Sequence, residues 1–239
     1  MKMNEKTYLS IEEIISLPTL SDTNISENGK NVAFVKTTAN WKDNKYRNHV
    51  WIYEKDKAQC YPLTTDDIDS TYPLWSPDSR DIAYLSPVGD GDNKKNQIFV
   101  KSMHGYSEVQ ITDEKEGGSQ FKWEPSGKGF YYVAQSKESE GIKKRKERYG
   151  DFHHIGKEYQ NNSLYYIEIE KVIQNDKYDH ENSVVYQLTD GKDFHIHDFD
   201  FSNDGKKVVF IATPNLNMGD YINGDLYILE IEAGELQKS

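Results

Sequence analysis

Residues 72–86 have the sequence Tyr-Pro-Leu-Trp-Ser-Pro-Asp-Ser-Arg-Asp-Ile-Ala-Tyr-Leu-Ser, in which two apolar runs flank a turn. The turn is Ser76-Pro77-Asp78-Ser79. It suits a type I turn, because a hydroxyl comes first, a proline with a preset φ comes second and an aspartate comes third. The stretch therefore predicts a strand, a tight turn and a second strand.

The same plan recurs three more times along the chain. Turns at 26–29, 124–127 and 202–205 each precede an apolar run, as the turn at 76–79 does. The fourth turn residues of successive copies lie 50, 48 and 78 residues apart. Self-similarity at a fixed period is the signature of a repeat architecture, and two of the three steps are close to 50 residues.

A second marker has the same period. An aliphatic residue followed by threonine ends the first three units, at residues 63–64, 111–112 and 188–189, with steps of 48 and 77. The two markers agree on units of about 45–50 residues, the length of a four-stranded propeller blade. The longer step in each series places a large insertion in the third unit.

We therefore predict an all-β fold of about four four-stranded antiparallel blades, forming part of a larger β-propeller. The second strand of the first unit is apolar at consecutive positions, which favours sheets packed face to face. The predicted boundaries are an N-terminal helical segment at 1–21 and repeats at 22–66, 67–114, 115–191 and 192–239.

The N-terminal segment has a helical pattern instead of a strand pattern. Its isoleucines from Ile11 onward fall on one helical face, Ser10 and Glu13 form a capping box, and Pro18 ends the helix. We predict a helix from about Ile11 to Leu17 that packs against one edge or rim of the propeller.

Composition narrows the function classes. The chain has 239 residues with 13% aromatic and 29% charged residues, which favours strands and disfavours a membrane protein. Its formal net charge of −11 disfavours binding to nucleic acid or to anionic membranes. We expect no nucleic-acid partner, no membrane partner and no cofactor.

The single cysteine, Cys60, cannot form an internal disulfide, and the first residues carry no signal-peptide pattern. We predict a cytoplasmic protein. Cys60 lies in a predicted outer strand, where the simplest prediction is a small packing residue.

The repeats resemble those of the prolyl oligopeptidase family, above all its acylaminoacyl-peptidase-like branch, along essentially the whole chain. Departures are Ser79 at a position where glycine is usual and a third turn without aspartate. The carriers of the resemblance are Trp75-Ser76-Pro77-Asp78, Ile82-Ala83-Tyr84, Asp204-Gly205-Lys206-Lys207, Leu164-Tyr165, Leu226-Tyr227 and Leu188-Thr189-Asp190-Gly191.

The resemblance implies a propeller, typically seven-bladed, that caps a C-terminal α/β-hydrolase domain and admits only short peptides. It implies that this chain is the non-catalytic, substrate-gating domain of an acylaminoacyl-peptidase- or dipeptidyl-peptidase-like serine peptidase, truncated before the catalytic domain. TolB-like propellers share the repeat, so the alternative is a stand-alone propeller that binds a protein or another ligand.

The chain lacks the motif that a serine hydrolase of this kind needs. Gly-x-Ser-x-Gly places the nucleophile on a sharp strand-to-helix turn, and this pentapeptide does not occur. Gly117-Gly118-Ser119 lacks the following glycine and is better explained as a turn. We predict no catalytic residue in these 239 residues.

Two clusters remain as candidate sites. The insertion at 137–161 is rich in basic residues, and the resemblance implies that Arg145 and Arg148 contact substrate or the catalytic domain. The alternative is that this run of charges is simply solvated. His195, His197 and Asp198 offer nitrogen and oxygen ligands at a spacing that is a weak metal signal, and the alternative is that they line a blade edge or the central channel.

The predicted partner is a short peptide substrate, which binds with the participation of the missing catalytic domain. Four blades of a larger propeller also leave uncovered faces on the first and last blades, and uncovered apolar sheets recruit partners. We therefore expect self-association through these blades.

Overall fold

The computed structural model of the protein describes residues 8–65, 68–103, 108–150, 160–169, 173–174, 177–178, 184–202, 204–217 and 222–231. The chain forms two compact units, Met1–Pro87 and Val88–Ser239. Each unit has its own buried apolar residues.

The first unit begins with a short helix, which is followed by strands that run back and forth. The elements are α1 (Ile11–Ile15), β1 (Thr19–Ile25), β2 (Asn31–Asn40), β3 (Lys45–Glu54), β4 (Gln59–Pro62), β5 (Thr71–Trp75) and β6 (Asp81–Val88), the last of which ends at the boundary between the units. Strands β1 to β4 form the first sheet, in sequential antiparallel order.

The second unit continues the alternation and contains the longer helix. After a 3-10 turn at Gly91–Asn93 come β7 (Lys95–Ser102), β8 (Val109–Gln110), β9 (Gly118–Trp123), β10 (Gly129–Gln135), α2 (Glu140–Tyr149), β11 (Asn162–Glu168), β12 (Ile173–Gln174), β13 (Lys177–Tyr178), β14 (Val185–Gln187), β15 (His195–Phe201), β16 (Lys207–Thr213) and β17 (Asp225–Glu230).

The sheets follow the order of the sequence repeats. The second sheet has the order β5-β6-β7-β8, the third β9-β10-β11-β14 and the fourth β15-β16-β17, while β12 and β13 form a small separate pair. Sequential strand order within each sheet is that of propeller blades. The all-β prediction is confirmed, and the fourth sheet has three strands in the described residues.

The four repeated turns have the same geometry. In each, the N–H of the fourth residue donates to the carbonyl of the first, at 2.8–2.9 Å. The fourth residues are Gly29, Ser79, Gly127 and Gly205, and their φ angles lie between 61° and 79°. The prediction that the turns occupy equivalent places is confirmed. The left-handed backbone at the fourth position explains why three of the four copies carry glycine.

Serine at the first turn position connects the turn to the strand that follows it. The hydroxyl of Ser76 accepts the N–H of Asp81 at 2.9 Å and donates to the carboxylate of Asp78 at 2.6 Å. Ser26 and Ser202 make the same pair of hydrogen bonds in their own turns. These hydrogen bonds within the turn explain why serine recurs at its first position.

Glu124 replaces this serine in the third repeat. Its Oε2 accepts the N–H groups of Ser126 at 3.0 Å and Lys128 at 3.2 Å, and it also accepts the hydroxyl of Ser126. The carboxylate of Glu124 is therefore the hydrogen-bond acceptor in this turn and replaces the aspartate that the repeat lacks.

The threonine marker also has a structural cause. The Oγ1 atoms of Thr64, Thr112 and Thr189 accept the N–H groups of Val50, Ile98 and Leu164 at 3.0, 2.9 and 3.0 Å. Each threonine thus satisfies a backbone donor in the third strand of its own repeat. A buried donor without a partner is destabilising, which accounts for threonine at this position in three repeats.

Strand β1 is longer than the sequence predicts. We expected a short strand around Ile25, but β1 begins at Thr19. The polar residues before Ile25 form a bulge, since the register with β2 shifts between Ser21 and Asn24 and Asp22 has a φ of 48°. Pairing resumes on the other side of this bulge.

Helix α1 has the predicted capping box but not the predicted packing. The Ser10 N–H donates to Glu13 at 2.7 Å, and the Glu13 N–H donates to the Ser10 hydroxyl at 3.1 Å. The helix ends at Ile15, and none of its residues is buried. The expectation that this segment buries an apolar face is wrong in this structure, because only five residues are helical and their isoleucines are exposed.

The sheets of each unit pack through apolar faces. In the first unit, the first sheet contacts β5, and the side chain of Asn24 accepts the Trp75 N–H at 2.8 Å. In the second unit, the third sheet packs against the fourth through Tyr131, Val133, Leu164, Tyr166, Ile196, Phe199, Val208, Phe210 and Ala212. Strand β10 is buried from Gly129 to Ala134, as face-to-face packing requires.

Candidate functional site

The insertion of the third repeat leaves the third sheet after β10 and rejoins it at β11. The Ser136 N–H donates to the carbonyl of Asn161 at 2.8 Å. The Nδ2 of Asn161 donates to the carbonyl of Gly191 at 3.1 Å, and the Asn162 N–H donates to Nδ1 of His195 at 3.0 Å. We call Ser136, Asn161, Asn162, Gly191 and His195 the insertion base.

The insertion base is buried and tightly packed. Ser136, Asn161 and His195 are each less than a tenth exposed. Gly191 has a φ of 67°, and a Cβ there would lie 2.6 Å from the Cβ of Ser136 and 2.6 Å from the Oγ of Ser163. Only glycine fits this position. The two chain ends of the insertion are therefore held together at one end of the inner strands β10 and β11 of the third sheet.

Sequence reasoning missed four of these five residues, since it selected only His195, and did so as a metal ligand. Ser136 and Asn161 are 25 positions apart, and Asn162 and His195 are 33 positions apart. The available signals were weak: the glycine after Thr189-Asp190 and a pair of asparagines before an apolar run. Neither indicates which distant residue would be the partner.

Helix α2 lies within the insertion and carries its basic residues. Ser139 caps its start by accepting the Ile142 N–H at 3.3 Å, Glu140 lies in the first turn, and Gly150 follows the last turn with a φ of 89°. Negative charge near the start and positive charge near the end suit the helix dipole. The sequence contains both caps, a serine before the helix and a glycine after it.

The two predicted substrate-contact residues both lie on α2. Arg145 is half-buried, whereas Arg148 is exposed with its guanidinium carbon 5.3 Å from the ring centre of Tyr149. Their neighbour Lys146 forms an ion pair with Glu138 at 2.6 Å. That Arg145 and Arg148 contact a substrate stays a prediction.

A cavity of about 230 Å³ lies beside the insertion base. Its wall includes the carboxylate residue Glu116 and the amide residues Gln135 and Asn162, so that polar groups dominate it. The lining residues are Glu116, Gly117, Gly118, Ser119, Ala134, Gln135 and Asn162.

The glycine pair in this wall forms a turn into β9, as the sequence suggested. The Gly117 N–H donates to the carbonyl of Glu114 at 3.0 Å, and β9 begins at Gly118. The hydroxyl of Ser119 donates to the carbonyl of Val133 at 3.4 Å. This hydrogen bond to the backbone of the third sheet fixes the position of the Ser119 side chain.

The two candidate histidines come together at the start of β15. Their ring centres are 4.8 Å apart, because a bulge between Ile196 and Asp198 shifts the register with β16. Nδ1 of His195 accepts the Asn162 N–H, and Nε2 of His197 lies 2.9 Å from the hydroxyl of Thr213. Protein groups therefore already engage one nitrogen of each ring.

Asp198 does not join the histidines in a metal centre. It is exposed, and its Oδ1 accepts the N–H of Phe199 at 2.8 Å. Within the described part of the chain, no three His, Cys, Asp or Glu side chains converge as metal ligands. The geometry supports the alternative that these residues belong to a blade edge.

Burial, together with the smaller effect of the neighbouring His197, lowers the pKa of His195 to about 4. The imidazole is therefore neutral near pH 7. Because its Nδ1 accepts a hydrogen bond, the proton of the neutral ring is on Nε2. His195 accordingly acts as a structural acceptor that holds the start of β11.

Residues 26–136 match the family model described as the dipeptidyl peptidase IV (DPP IV) N-terminal region. The match begins at the first repeated turn and ends at Ser136, where the insertion leaves the third sheet. The predicted resemblance to the propellers of prolyl oligopeptidase-type peptidases is confirmed.

Curated relatives and solved structures agree with this match. The chain is 28% identical over 142 residues to the uncharacterized peptidase YuxL of Bacillus subtilis, which covers 59% of this chain and 21% of that protein. The acylaminoacyl peptidase of Pyrococcus horikoshii is similar with a TM-score of 0.51 and 18% identity, over 94% of this chain and 40% of that one.

Two further solved structures support the propeller architecture. The β-propeller domain of the trilobed protease from Pyrococcus furiosus has a TM-score of 0.50 and 19% identity, over 94% of this chain and 71% of that one. TolB from Acinetobacter baumannii has a TM-score of 0.53 and 16% identity, over 92% of this chain and 43% of that one. At these identities the likeness shows the fold, which is that of a β-propeller section.

The chain spans about a fifth of the length of the curated relatives that it matches. In the described residues, neither helix has the length and apolar character needed to cross a bilayer.

Cys60 lies in β4, the outer strand of the first sheet, but its side chain is exposed, so the expected packing role is wrong.

Proposed function

We propose that this chain is the non-catalytic propeller part of a cytoplasmic acylaminoacyl-peptidase- or dipeptidyl-peptidase-like serine hydrolase, where it restricts access to short peptides. The observation that carries the proposal is the match of residues 26–136 to the N-terminal region of dipeptidyl peptidase IV. The similarity to a bacterial peptidase supports it. The catalytic groups belong to the rest of the proposed enzyme, because this chain has no Gly-x-Ser-x-Gly motif.

The insertion is the part of the chain best suited to meet a peptide. Its base is buried and hydrogen-bonded, so α2 is attached to the sheet at a defined place. The helix itself carries five basic residues against two acidic ones. A short peptide carries its C-terminal carboxylate within a few residues of the bond that is cut, and arginine binds carboxylates through two parallel hydrogen bonds. Arg145 and Arg148 are the proposed contacts.

The test replaces both arginines in the whole protein that contains this chain. Loss of an arginine–carboxylate contact removes about 1.5–3 kcal/mol of binding free energy. We expect the Arg145→Ala, Arg148→Ala double variant to have a KM for short peptides raised by about tenfold or more, which corresponds to about 1.4 kcal/mol. Its preference for short over long peptides should fall in proportion.

The matched control is the Lys143→Ala, Lys144→Ala double variant. It removes the same amount of charge from exposed positions of the same helix. We expect its KM to remain close to that of the wild-type protein. Equal losses in the two double variants would reduce the effect to overall charge, and unchanged selectivity in both would contradict a gating role for α2.

A second candidate function is a TolB-like propeller that binds a protein or ligand without a catalytic partner domain. The similarity to TolB over 92% of this chain favours it. The two proposals differ in the whole protein's reactivity. A fluorophosphonate probe labels an activated serine, so labelling of the whole protein supports the peptidase proposal and its absence supports the binding propeller.

A further inference from the structure

The cavity beside the insertion base is small and polar. Its volume is about 230 Å³, and all the residues that line it belong to the second unit. Cavities that enclose a drug-sized ligand are larger, roughly 300–1,000 Å³. This cavity therefore has room for one side chain of a ligand, and its carboxylate, amide and hydroxyl groups suit a side chain that is polar.

Two amide side chains of the cavity wall have oxygen atoms that are available to a ligand. Gln135 and Asn162 lie directly opposite each other where β10 pairs with β11. Nε2 of Gln135 donates to the carbonyl of Gln160 at 3.3 Å, which leaves Oε1 as the free end of this amide. The side-chain amide of Asn162 has no hydrogen bond within the described part of the chain.

Glu116 contributes a carboxylate to the same wall. Its Oε2 lies 2.7 Å from Nζ of Lys95, and its Oε1 accepts no hydrogen bond from the described residues. The Gly117 N–H donates to the carbonyl of Glu114, and a Cβ at Gly117 would lie 3.0 Å from the backbone N and O of Asn96. The backbone that carries Glu116 is therefore held closely against β7.

The surroundings of the cavity are negatively charged overall. The loop that leads into it, residues 113–116, has the sequence Asp-Glu-Lys-Glu, so that together with Lys95 there are three carboxylates and two ammonium groups. The whole chain has a formal net charge of −11. A surface of one charge sign raises the local concentration of ligands with the opposite sign. The cavity therefore favours a cation.

A guanidinium group matches the acceptors of the wall better than an ammonium group does. It has five N–H donors in one plane, no acceptor and a permanent positive charge, whereas an ammonium group has three donors. The acceptors are the Glu116 carboxylate, the amide oxygens of Gln135 and Asn162, and the hydroxyl oxygen of Ser119, whose own proton is donated to Val133. Hydrogen bonds between a guanidinium and a carboxylate are also among the strongest in proteins.

We propose that this cavity binds the guanidinium group of an arginine side chain, with the Glu116 carboxylate as its charged partner. That the arginine belongs to a short peptide rests on the proposed function. The insertion leaves the third sheet directly after Gln135, so the cavity lies next to the start of the segment that carries α2. In the proposed enzyme, the cavity selects arginine-containing peptides whose terminal carboxylate binds to α2.

Ligands with blocked ends test the side chain alone. N-acetyl-arginine amide has no charged terminus, and N-acetyl-citrulline amide replaces its guanidinium by a neutral urea group of similar shape. In an NMR titration of the full 239-residue chain, we expect the arginine ligand to bind about tenfold or more tightly than the citrulline ligand. Equal binding of the two ligands, or no binding of the arginine ligand, would overturn the proposal.

Three variants locate the binding. Glu116→Gln keeps the size of the side chain and removes its charge, so N-acetyl-arginine amide should bind about tenfold more weakly. Lys95→Met removes the ion pair that competes for Glu116 and should strengthen binding. Glu230→Gln is the matched control, because Glu230 forms a similar exposed ion pair with Lys207 at 3.0 Å outside the cavity. Equal losses in Glu116→Gln and Glu230→Gln would assign the effect to overall charge and refute the site.

Cleavage by the whole protein separates this inference from the proposed function. For Glu116→Gln, the preference in kcat/KM for an arginine peptide over its citrulline counterpart should fall about tenfold. If the whole protein cleaves short peptides and this preference is the same in wild type and Glu116→Gln, the arginine site is refuted and the peptidase proposal remains. If Glu116-dependent binding of N-acetyl-arginine amide occurs without any cleavage, the arginine site is supported and the peptidase proposal is refuted.

Discussion

Ser79 has a left-handed backbone at the turn position where the other three repeats carry glycine. Its φ is 61°, its side chain is buried, and its hydroxyl accepts the Asn28 N–H at 3.2 Å. Left-handed backbone costs a non-glycine residue about 1–2 kcal/mol, whereas a hydrogen bond contributes about 0.5–1.5 kcal/mol. The hydroxyl thus offsets the conformational cost of serine at this position.

Two substitutions separate these effects. Ser79→Ala loses the hydrogen bond and keeps the backbone cost, so its free energy of unfolding should fall by about 1 kcal/mol, while Ser79→Gly should stay close to wild type. Urea denaturation measures both values. Gly29→Ala is the control for the backbone cost alone, because a Cβ at Gly29 meets no atom within 4 Å. An alanine variant as stable as the glycine variant would contradict this account.

The His195 imidazole makes stability depend on pH. Its pKa is about 4 in the folded chain and about 6.5 when unfolded. Between these values the unfolded chain binds the proton more tightly, so the stabilisation is complete above pH 6.5 and is lost as the pH falls towards 4. The loss should amount to about 2 kcal/mol.

Unfolding in urea at pH 7 and pH 4.5 measures this contribution. His195→Gln should have a smaller difference between the two pH values than wild type, although it is less stable at pH 7. His49→Gln, in β3 of the other unit, should keep the wild-type difference. If His195→Gln also keeps it, the pH dependence arises elsewhere in the chain.

Gly191 controls how the helical element α2 is attached to the third sheet. Alanine here would force a Cβ against Ser136 and Ser163 at a φ of 67°. We expect Gly191→Ala to lower the free energy of unfolding by about 2–3 kcal/mol and to speed proteolysis within the insertion. Gly150→Ala, at the end of α2, meets open space at a φ of 89° and should cost only about 1 kcal/mol. Similar effects from both would mean that the insertion base is not the anchor.

Elements whose hydrogen bonds close within a few residues were predictable from sequence. The turns are of this kind, since Ser76 bonds Asp78 and Asp81, and so is the capping box of α1. The insertion base was not predictable, because its bonds join residues about 30 positions apart. The exposure of α1 was not predictable either, because a helical face of isoleucines does not indicate which part of the molecule covers it.

At the scale of the whole molecule, the sequence lacks the Gly-x-Ser-x-Gly motif that carries the nucleophile of the proposed kind of hydrolase. Acyl transfer requires an activated nucleophile, a general base and an oxyanion hole in one site. We predict that the 239-residue chain does not hydrolyse acylaminoacyl or dipeptidyl chromogenic substrates and does not react with a fluorophosphonate probe, as read by gel fluorescence and mass spectrometry. The nearest approach to a nucleophile motif is Gly117-Gly118-Ser119 in the cavity wall, so Ser119→Ala is the matched control. Labelling of the wild-type chain that disappears in Ser119→Ala would place an active serine in this cavity and refute a purely non-catalytic role.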